Sequence, residues 1–535
     1  FSLVSTTRLQ LDAGRLALEH ANTVITSAAR SLRERGGVDS NQALAYDLAH
    51  AASALAVAAC ALDYGQRGVR EADLAAAFVS STLRELGGQI LGRETLWNVE
   101  ADWFEPLHSF VEAYTTPAFL APLAEVSAET YTESDLAMLS STFHRFAERE
   151  IRPHAEHVHR TNADVPESVI DGLKELGAFG LSIPPQYGGA SAGERPSSLA
   201  MVVATEELSW GSLAIGGSLV TRPEILSRAL LGGGTAAQRA TWLPQIARGE
   251  VLCAIAVTEP DCGSDVAALT TRATRTEGGW LLSGAKTWCT FAARATLLAV
   301  LARTDPDRSL AHRGLSLFLV EKPPSDSGGF AIAKYGSESG RITGRPIDTI
   351  GYRGLHSYEL SFDEWFVGDD CLVGGEQGLG RGFYLQMAGF ESGRLQTAAR
   401  ALGLMQAAYD DALSYARQRE VFGRALIDYE LTRVKLANML CTIRCARQFT
   451  LEVAGQVEDH DSPLRAAMAK AFTSRAAEWV TREAMQIHGG MGYAEEFGVS
   501  RYFLDARVLS IFEGADETLC LKVIAPRLLG VLEGT

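Results

Sequence analysis

The sequence predicts a mostly helical protein with a central antiparallel β domain: a helical bundle, a β barrel or sandwich and a second helical bundle, preceded by an extra N-terminal helical module. Three observations carry this. Apolar residues recur at helical spacing from about residue 6 to Ala247. Between Leu252 and Phe362 they fall instead into short strand-like runs parted by Gly, Pro and Asp turns. From Gly378 onward the helical period returns. The implied divisions are residues 1–125, 126–250, 251–375 and 376–535.

In the first division, Leu9, Leu16, Ala17, Ala28 and Leu32 begin an amphipathic series that Gly36-Gly37 ends. A second helix carries Leu44, Leu48, Ala51, Leu55 and Leu62 to Gly65, and a third runs Asp73–Leu86 before Gly87-Gly88. None carries a cluster of polar residues that suggests chemistry, so the module reads as a packing or assembly device. In the next division a helical segment starts on the cap signal Thr132-Glu133-Ser134-Asp135 and runs to Pro153. Helices follow at Pro166–Leu176, Ser198–Trp210, Ser218–Leu231 and Thr235–Ala247, with the Pro- and Gly-rich Ile183–Gly189 a loop.

The strand-like runs are Leu252–Val257, Ala268–Arg275, Trp280–Lys286, Leu297–Arg303, Leu315–Glu321 and Tyr358–Phe362. No helix-length stretch separates them, which predicts an antiparallel sheet and excludes a dinucleotide-binding doubly wound fold. Lys334–Gly354, rich in Gly, Ser and Arg, reads as an exposed loop. In the last division Val434, Ala437, Cys441, Cys445 and Phe449 mark one apolar stripe and Leu436, Leu440 and Ile443 another, as expected inside a bundle. Pro463–Ile487 is the next long helix, and Ser500–Ile511 delivers the chain to Glu513.

At 535 residues with 47% apolar content the chain can build large cores, and its net charge of -16 argues against a nucleic-acid groove. The eight cysteines form no CxxC pair and have no histidine placed for a zinc site, so no metal is expected and buried reduced thiols are. No run approaches the roughly 20 apolar residues of a membrane span, the Leu48–Leu62 run being too short. A cytoplasmic location is the default expectation, with a leader removed before Phe1 left open.

Chemistry collects in five segments. Val257-Thr258-Glu259-Pro260-Asp261-Cys262-Gly263-Ser264-Asp265 leaves a strand as a loop of backbone donors and hydroxyls, suited to a heterocycle or phosphate, though an ordinary turn is also open. Lys286-Thr287-Trp288-Cys289-Thr290 sets a tryptophan beside hydroxyls, either against an aromatic ligand or in the core. Arg417–Arg424 places arginines and Gly423 at a helix end, suited to phosphate or simply to the helix dipole. Met485–Tyr493 ends a helix in Gly489, Gly490 and Gly492, where one glycine would cap and three suggest a backbone pressed against a ligand. Lastly, Ile511-Phe512-Glu513-Gly514 ends an apolar run in a carboxylate. Such surroundings solvate charge poorly, which suits a general base; a plain loop glutamate before a helix start is the alternative.

Together the TEPxxGSD loop, the WxT strand end, the RxxFG turn, the QxxGGxGY helix end and the FEG segment resemble the acyl-CoA dehydrogenase family, in that family's order, from Ser134 to about Leu529. The resemblance implies FAD held between the sheet domain and the C-terminal bundle with help from a neighbouring subunit. Val257, Thr258, Gly263 and Ser264 would contact the flavin ring or the substrate beside it, and Trp288 and Thr290 would flank the ring. Arg419 would bind the diphosphate across a dimer interface, with Gln486, Gly489 and Gly490 on the same path. Ala515 and Glu517 would also face the cofactor, although they depart from the family's usual Thr and Gln, as Glu430 does from Gln.

Glu513 would take the proton α to a thioester while the β hydride passes to flavin N5. Its backbone N–H, preceding Gly514, would help polarise the thioester oxygen. Some branched-chain members carry the base on the helix holding Arg394. Here Gly393 precedes that arginine, and Glu391 lies roughly 200° around the helix from it. Gly351–Gly354, Arg394–Ala401 and Thr221–Glu224 point within the family to a short branched or dicarboxylic acyl-CoA, whose carboxylate Arg222 would meet, with Ser264, Arg394 and Gly514 also at the substrate. An exposed arginine before a proline is the other account of Arg222.

The resemblance further implies a homodimer or homotetramer that passes electrons to an electron-transferring flavoprotein, with no nucleic acid and no membrane span. A general short-chain dehydrogenase, an acyl-CoA oxidase and a catalytically silent scaffold are the competing readings.

Overall fold

The computed structural model describes residues 3–128, 130–131, 133–191, 198–334, 340–456 and 462–531; Thr132 of the expected cap signal lies outside them. The chain divides into two compact units, Phe1–Ser141 with Thr397–Thr535, and Thr142–Gln396.

The second unit is built on a sheet. Its strands are β1 (Cys253–Ala256), β2 (Arg272–Thr276), β3 (Gly279–Lys286), β4 (Leu297–Arg303), β5 (Leu315–Glu321), β6 (Phe330–Lys334), β7 (Gly340–Ile347) and β8 (Ser357–Gly368). They are ordered β1-β4-β2-β3-β8-β7-β6, with β5 paired to β4. Every residue of β4 is buried. Leu298, Val300 and Ala302 join a core with Phe318, Val320, Leu360 and Trp365. Leu297, Ala299 and Leu301 face the other way, against Leu226 and Leu230 of the Thr221–Gly233 helix and Leu243 and Ile246 of the Ala236–Ala247 helix. A strand covered on both faces reads as one apolar run because its period-2 alternation has no polar side. Each large aliphatic side chain so buried contributes about 2 kcal/mol. Thr235 and Gln238 form a reciprocal capping box at the second of those helices. The Gln238 amide also donates to the carbonyls of Asp370 (2.7 Å) and Leu372 (2.8 Å), beyond β8.

Two sequence expectations are corrected here. The sheet is mixed rather than wholly antiparallel: β1 runs parallel to β4, Cys253 opposite Leu297, and β2 meets β4 in the same sense at Arg272 and Arg303. The β2–β3 hairpin supplies the reversal that a crossover helix would otherwise provide. Second, the expected loop at Lys334–Gly354 contains β7, which pairs along β8 from Arg341–Asp363 to Ile347–Ser357. Gly, Arg and Pro in β7 conceal its strand character from a propensity reading.

In the first unit, α1 (Leu3–Glu34), α2 (Gln42–Gly65) and α3 (Val69–Ile90) make up most of the N-terminal module. The α3 helix continues through Gly87-Gly88, where a stop was expected. A Cβ at Gly87 would stand 2.9 Å from the Phe104 ring, so that glycine serves packing rather than termination. The α2 and α3 helices pack on the bundle helices Glu430–Gly455 and Ser462–His488, with the Phe78 and Phe472 rings 5.7 Å apart. Among the described residues α2 alone is long and apolar enough to cross a membrane, which the shorter apolar run read from sequence understated. It is largely buried in this helical packing. After Gln418 the chain makes a small hairpin, Glu420–Val421 with Arg424–Ala425, so the Arg417–Arg424 turn belongs to a β hairpin.

Candidate active site

In the sheet unit, the first two motif segments come together. Thr287 N–H donates to the Thr258 carbonyl (2.8 Å), and the Lys286 ammonium donates to the Val257 carbonyl (2.9 Å). Val257 is buried, whereas Gly263 and Ser264 lie exposed beyond it. Trp288 is 56% exposed at φ +58°, so the core-tryptophan alternative fails. A non-glycine residue held in the left-handed region carries strain, which is a reason to look for a ligand against it. Thr290 is buried, its hydroxyl 3.0 Å from that of Ser357.

What fixes this edge was not singled out from sequence. Lys286 is fully buried, and its ammonium lies 3.0 Å from the Glu259 carboxylate. Glu259 also accepts from Thr270 N–H (2.6 Å), the Thr270 hydroxyl (2.8 Å) and Thr271 N–H (2.8 Å). Burial alone would raise the Glu259 pKa, but Lys286 and the threonine donors bring it down to about 2. The available signal was one opposite charge in each of two motifs bordering apolar strands.

Arg222 is buried in the first turn of its helix, contrary to the exposed alternative. Its guanidinium donates to the Ser218 carbonyl (3.1 Å) and the Tyr352 hydroxyl (2.9 Å), both neutral. Tyr352 itself sits at φ +57°, in a segment that Arg353 holds through the carbonyls of Thr349 (2.9 Å) and His159 (2.8 Å). Gly354 at φ +109° leaves no room for a side chain, since a Cβ would lie 2.3 Å from Ile215. Arg394 is half-buried on the Gly382–Gln418 helix.

In the other unit, Glu513 follows Phe512 at φ +54° and precedes Gly514 at φ +92°. One Glu513 carboxylate oxygen, Oε2, is buried with no hydrogen-bond partner among the described residues. Such an orphan calls for a functional account. The buried Lys470 ammonium donates to the carbonyls of Phe512 (2.8 Å) and Gly514, bracketing Glu513. Asp516 N–H donates to the Ser510 carbonyl (3.0 Å) and closes the loop. The buried Arg400 guanidinium lies 4.6 Å from the Phe512 ring centre. Lys470 was not picked out from sequence, since it reads as one polar residue within a helix. Ala515 is half-buried in this loop, and Glu517 is exposed just past it.

Arg419, Gln486, Gly489 and Gly490 form a separate exposed group in that unit. Tyr415, one turn before Arg419, stacks on His488 at 4.3 Å and so joins the two segments. A Cβ at Gly489 or Gly490 would meet nothing within 4 Å, whereas at Gly492 it would strike the Met485 carbonyl at 2.5 Å. Gly492 is therefore an internal packing requirement, and the other two present open backbone. Lys470 and Gln486 lie sixteen positions apart on one helix. Its rise sets the Glu513 and Arg419 groups roughly 24 Å apart within the unit.

In the sheet unit the exposed, left-handed Trp288 suits a flat aromatic ring, and in the other unit the open backbone at Gly489 and Gly490 suits a phosphate group. Comparison with known proteins gives the same direction. Models of the acyl-CoA dehydrogenase N-terminal, middle and C-terminal domains match residues 133–250, 254–365 and 380–529. The chain is 41% identical to a (2S)-methylsuccinyl-CoA dehydrogenase of Cereibacter sphaeroides, over 79% of this chain and 77% of that one. It is 35% identical to a mitochondrial short-chain specific acyl-CoA dehydrogenase of Bos taurus, over 73% and 89%. Among solved structures, a glutaryl-coenzyme A dehydrogenase in complex with glutaryl-CoA superposes with a TM-score of 0.67 at 29% identity, covering 76% of this chain and 97% of that one. Butyryl-CoA dehydrogenase from Megasphaera elsdenii gives 0.66 at 28%, covering 76% and 100%.

Proposed function

Because the chain belongs to the acyl-CoA dehydrogenase family and is an FAD-dependent enzyme of that class, we propose that it oxidises (2S)-methylsuccinyl-CoA to mesaconyl-CoA, in the ethylmalonyl-CoA pathway. Bound FAD supplies the hydride acceptor for the β carbon. Val257, Thr258, Gly263, Ser264, Trp288 and Thr290 would hold and orient the ring and the thioester beside it. Glu513 would take the α proton on its carboxylate, and its own N–H would polarise the thioester oxygen as charge develops there. The left-handed backbone at Glu513, fixed by Lys470, supports a side chain aimed before substrate arrives.

The observation that carries the substrate assignment is the Arg222 guanidinium, buried with the neutral partners Ser218 and Tyr352. A buried cation whose charge those partners leave unbalanced suits the distal carboxylate of a dicarboxylic acyl chain. Arg222→Ala is expected to lower kcat/KM for methylsuccinyl-CoA about 100-fold or more, while butyryl-CoA changes severalfold at most. An unchanged ratio between the two substrates would remove Arg222 from this role and favour a general short-chain enzyme.

Arg419, Gln486, Gly489 and Gly490 would reach FAD on a neighbouring copy in a homodimer or homotetramer. Their distance from the Glu513 group supports this, as do the large side chains exposed beside them, Phe422 at 100% and Tyr493 at 85%. Electrons would leave to an electron-transferring flavoprotein. Eight free cysteines, only Cys371 short of full burial, fit a reducing compartment and a cytoplasmic location.

A further inference from the structure

We propose that the N-terminal helical module positions the proton-abstracting loop, with Tyr46 and His50 as the positioning residues. The inference rests on the reading of Glu513 as the base. Tyr46 and His50 stand one turn apart on α2, so both side chains leave the same face. The Tyr46 hydroxyl donates to Asp516 Oδ2 (2.5 Å), and His50 Nε2 bonds the same oxygen (2.9 Å). The two rings meet edge to face at 4.7 Å, which limits the rotamers open to each. Cys520 Sγ lies 3.4 Å from the same His50 Nε2.

Asp516 connects this cluster to the loop through its own backbone. Its N–H returns to the Ser510 carbonyl and closes the turn Ser510–Asp516, which carries Glu513. Lys470 holds that turn from a bundle helix at the Phe512 and Gly514 carbonyls, and the module holds it at Asp516. Burial would raise the Asp516 pKa, but the bonds from His50 and Tyr46 outweigh it and keep the carboxyl below its usual range. The carboxylate is therefore ionised and needs partners, and two of them, Tyr46 and His50, come from α2. Among the described residues Asp516 also retains a buried Oδ1 without a hydrogen-bond partner, so losing either donor leaves a poorly satisfied charge against the loop. A module that only packed would need apolar contact alone. Two polar side chains of the module committed to one point of the base loop are a positioning device.

The test compares Tyr46→Phe, His50→Gln and the double variant with the wild-type holoenzyme. Both substitutions preserve most of the packing, and FAD content and thermal midpoint report whether the fold survives. The double variant should lose 10- to 100-fold in kcat with KM changed less than threefold. Amide exchange at Ser510–Asp516 should rise at least tenfold. Asp516→Asn should give a similar loss, and adding the double substitution to it should cost little more, because all three act through one contact. Unchanged kcat and unchanged exchange in a folded double variant would overturn the inference. So would a stoichiometric transition metal in the purified protein, since His50, Asp516 and Cys520 place possible ligand atoms within 4.8 Å of one another. Glu513→Gln at wild-type rate would instead sink the base assignment. The exchange measurement, which needs no turnover, would still decide whether the module anchors the loop.

Discussion

Glu513→Gln should lower turnover by about three orders of magnitude while FAD content and thermal stability stay near wild type. The substitution keeps the shape of the side chain and removes its ability to accept a proton. Little structural cost is expected, because Oε2 already has no hydrogen-bond partner among the described residues. The neighbouring bonds from Lys470 go to main-chain carbonyls at Phe512 and Gly514, and these survive the change. The backbone at φ +54° is likewise set by the turn rather than by the carboxylate. A rise in KM without a fall in kcat would mean that Glu513 contacts substrate but moves no proton.

The largest stability effect is expected at Lys286. Lys286→Met removes the partner of a buried carboxylate, which costs about 3–5 kcal/mol. For a unit of this size that lowers the thermal midpoint by about 10 °C. Glu259 would keep its threonine donors but lose the cation that does most to hold it ionised. A pH dependence follows from the same pair. The folded-state pKa of Glu259 is depressed from 4.5 to about 2, so its stabilising contribution is complete above pH 4.5 and is lost as pH falls toward 2. In Lys286→Met that loss should begin at higher pH, which thermal scans across pH 2–6 would read. A variant with wild-type stability and an unshifted acid limb would mean that the pair contributes nothing net. Since Lys286 also holds the Val257 carbonyl, weaker FAD retention should accompany the loss.

Much of this was legible in the chain. β4 and β5 begin and end where their apolar runs do, because strands buried on both sides have no polar interruption to blur them. The long bundle helices were equally plain from their stripes. β7 was not, since Gly340–Ile347 carries Gly, Arg and Pro and gains its strand state from pairing with β8. The parallel β1–β4 pair was missed because a hairpin, not a helix, returns the chain. The motif segments were visible and meet at the sheet edge, but the Glu259–Lys286 bond that ties them, which joins positions 27 apart, was not. Lys470 and the α2 contacts to Asp516 are longer-range still, the latter spanning 466 and 470 positions. No periodicity announces such partners. The positive φ at Trp288 and Glu513 is also invisible in a sequence, since neither residue type favours it.

Anaerobic titration of the purified flavoprotein with (2S)-methylsuccinyl-CoA addresses the reaction itself. One equivalent should bleach the oxidised flavin band and release one mesaconyl-CoA per FAD, and butyryl-CoA should bleach it far more slowly. A flavin that stays oxidised through an excess of methylsuccinyl-CoA, yet bleaches readily with a monocarboxylic thioester, would contradict the assignment of substrate and the role given to Arg222.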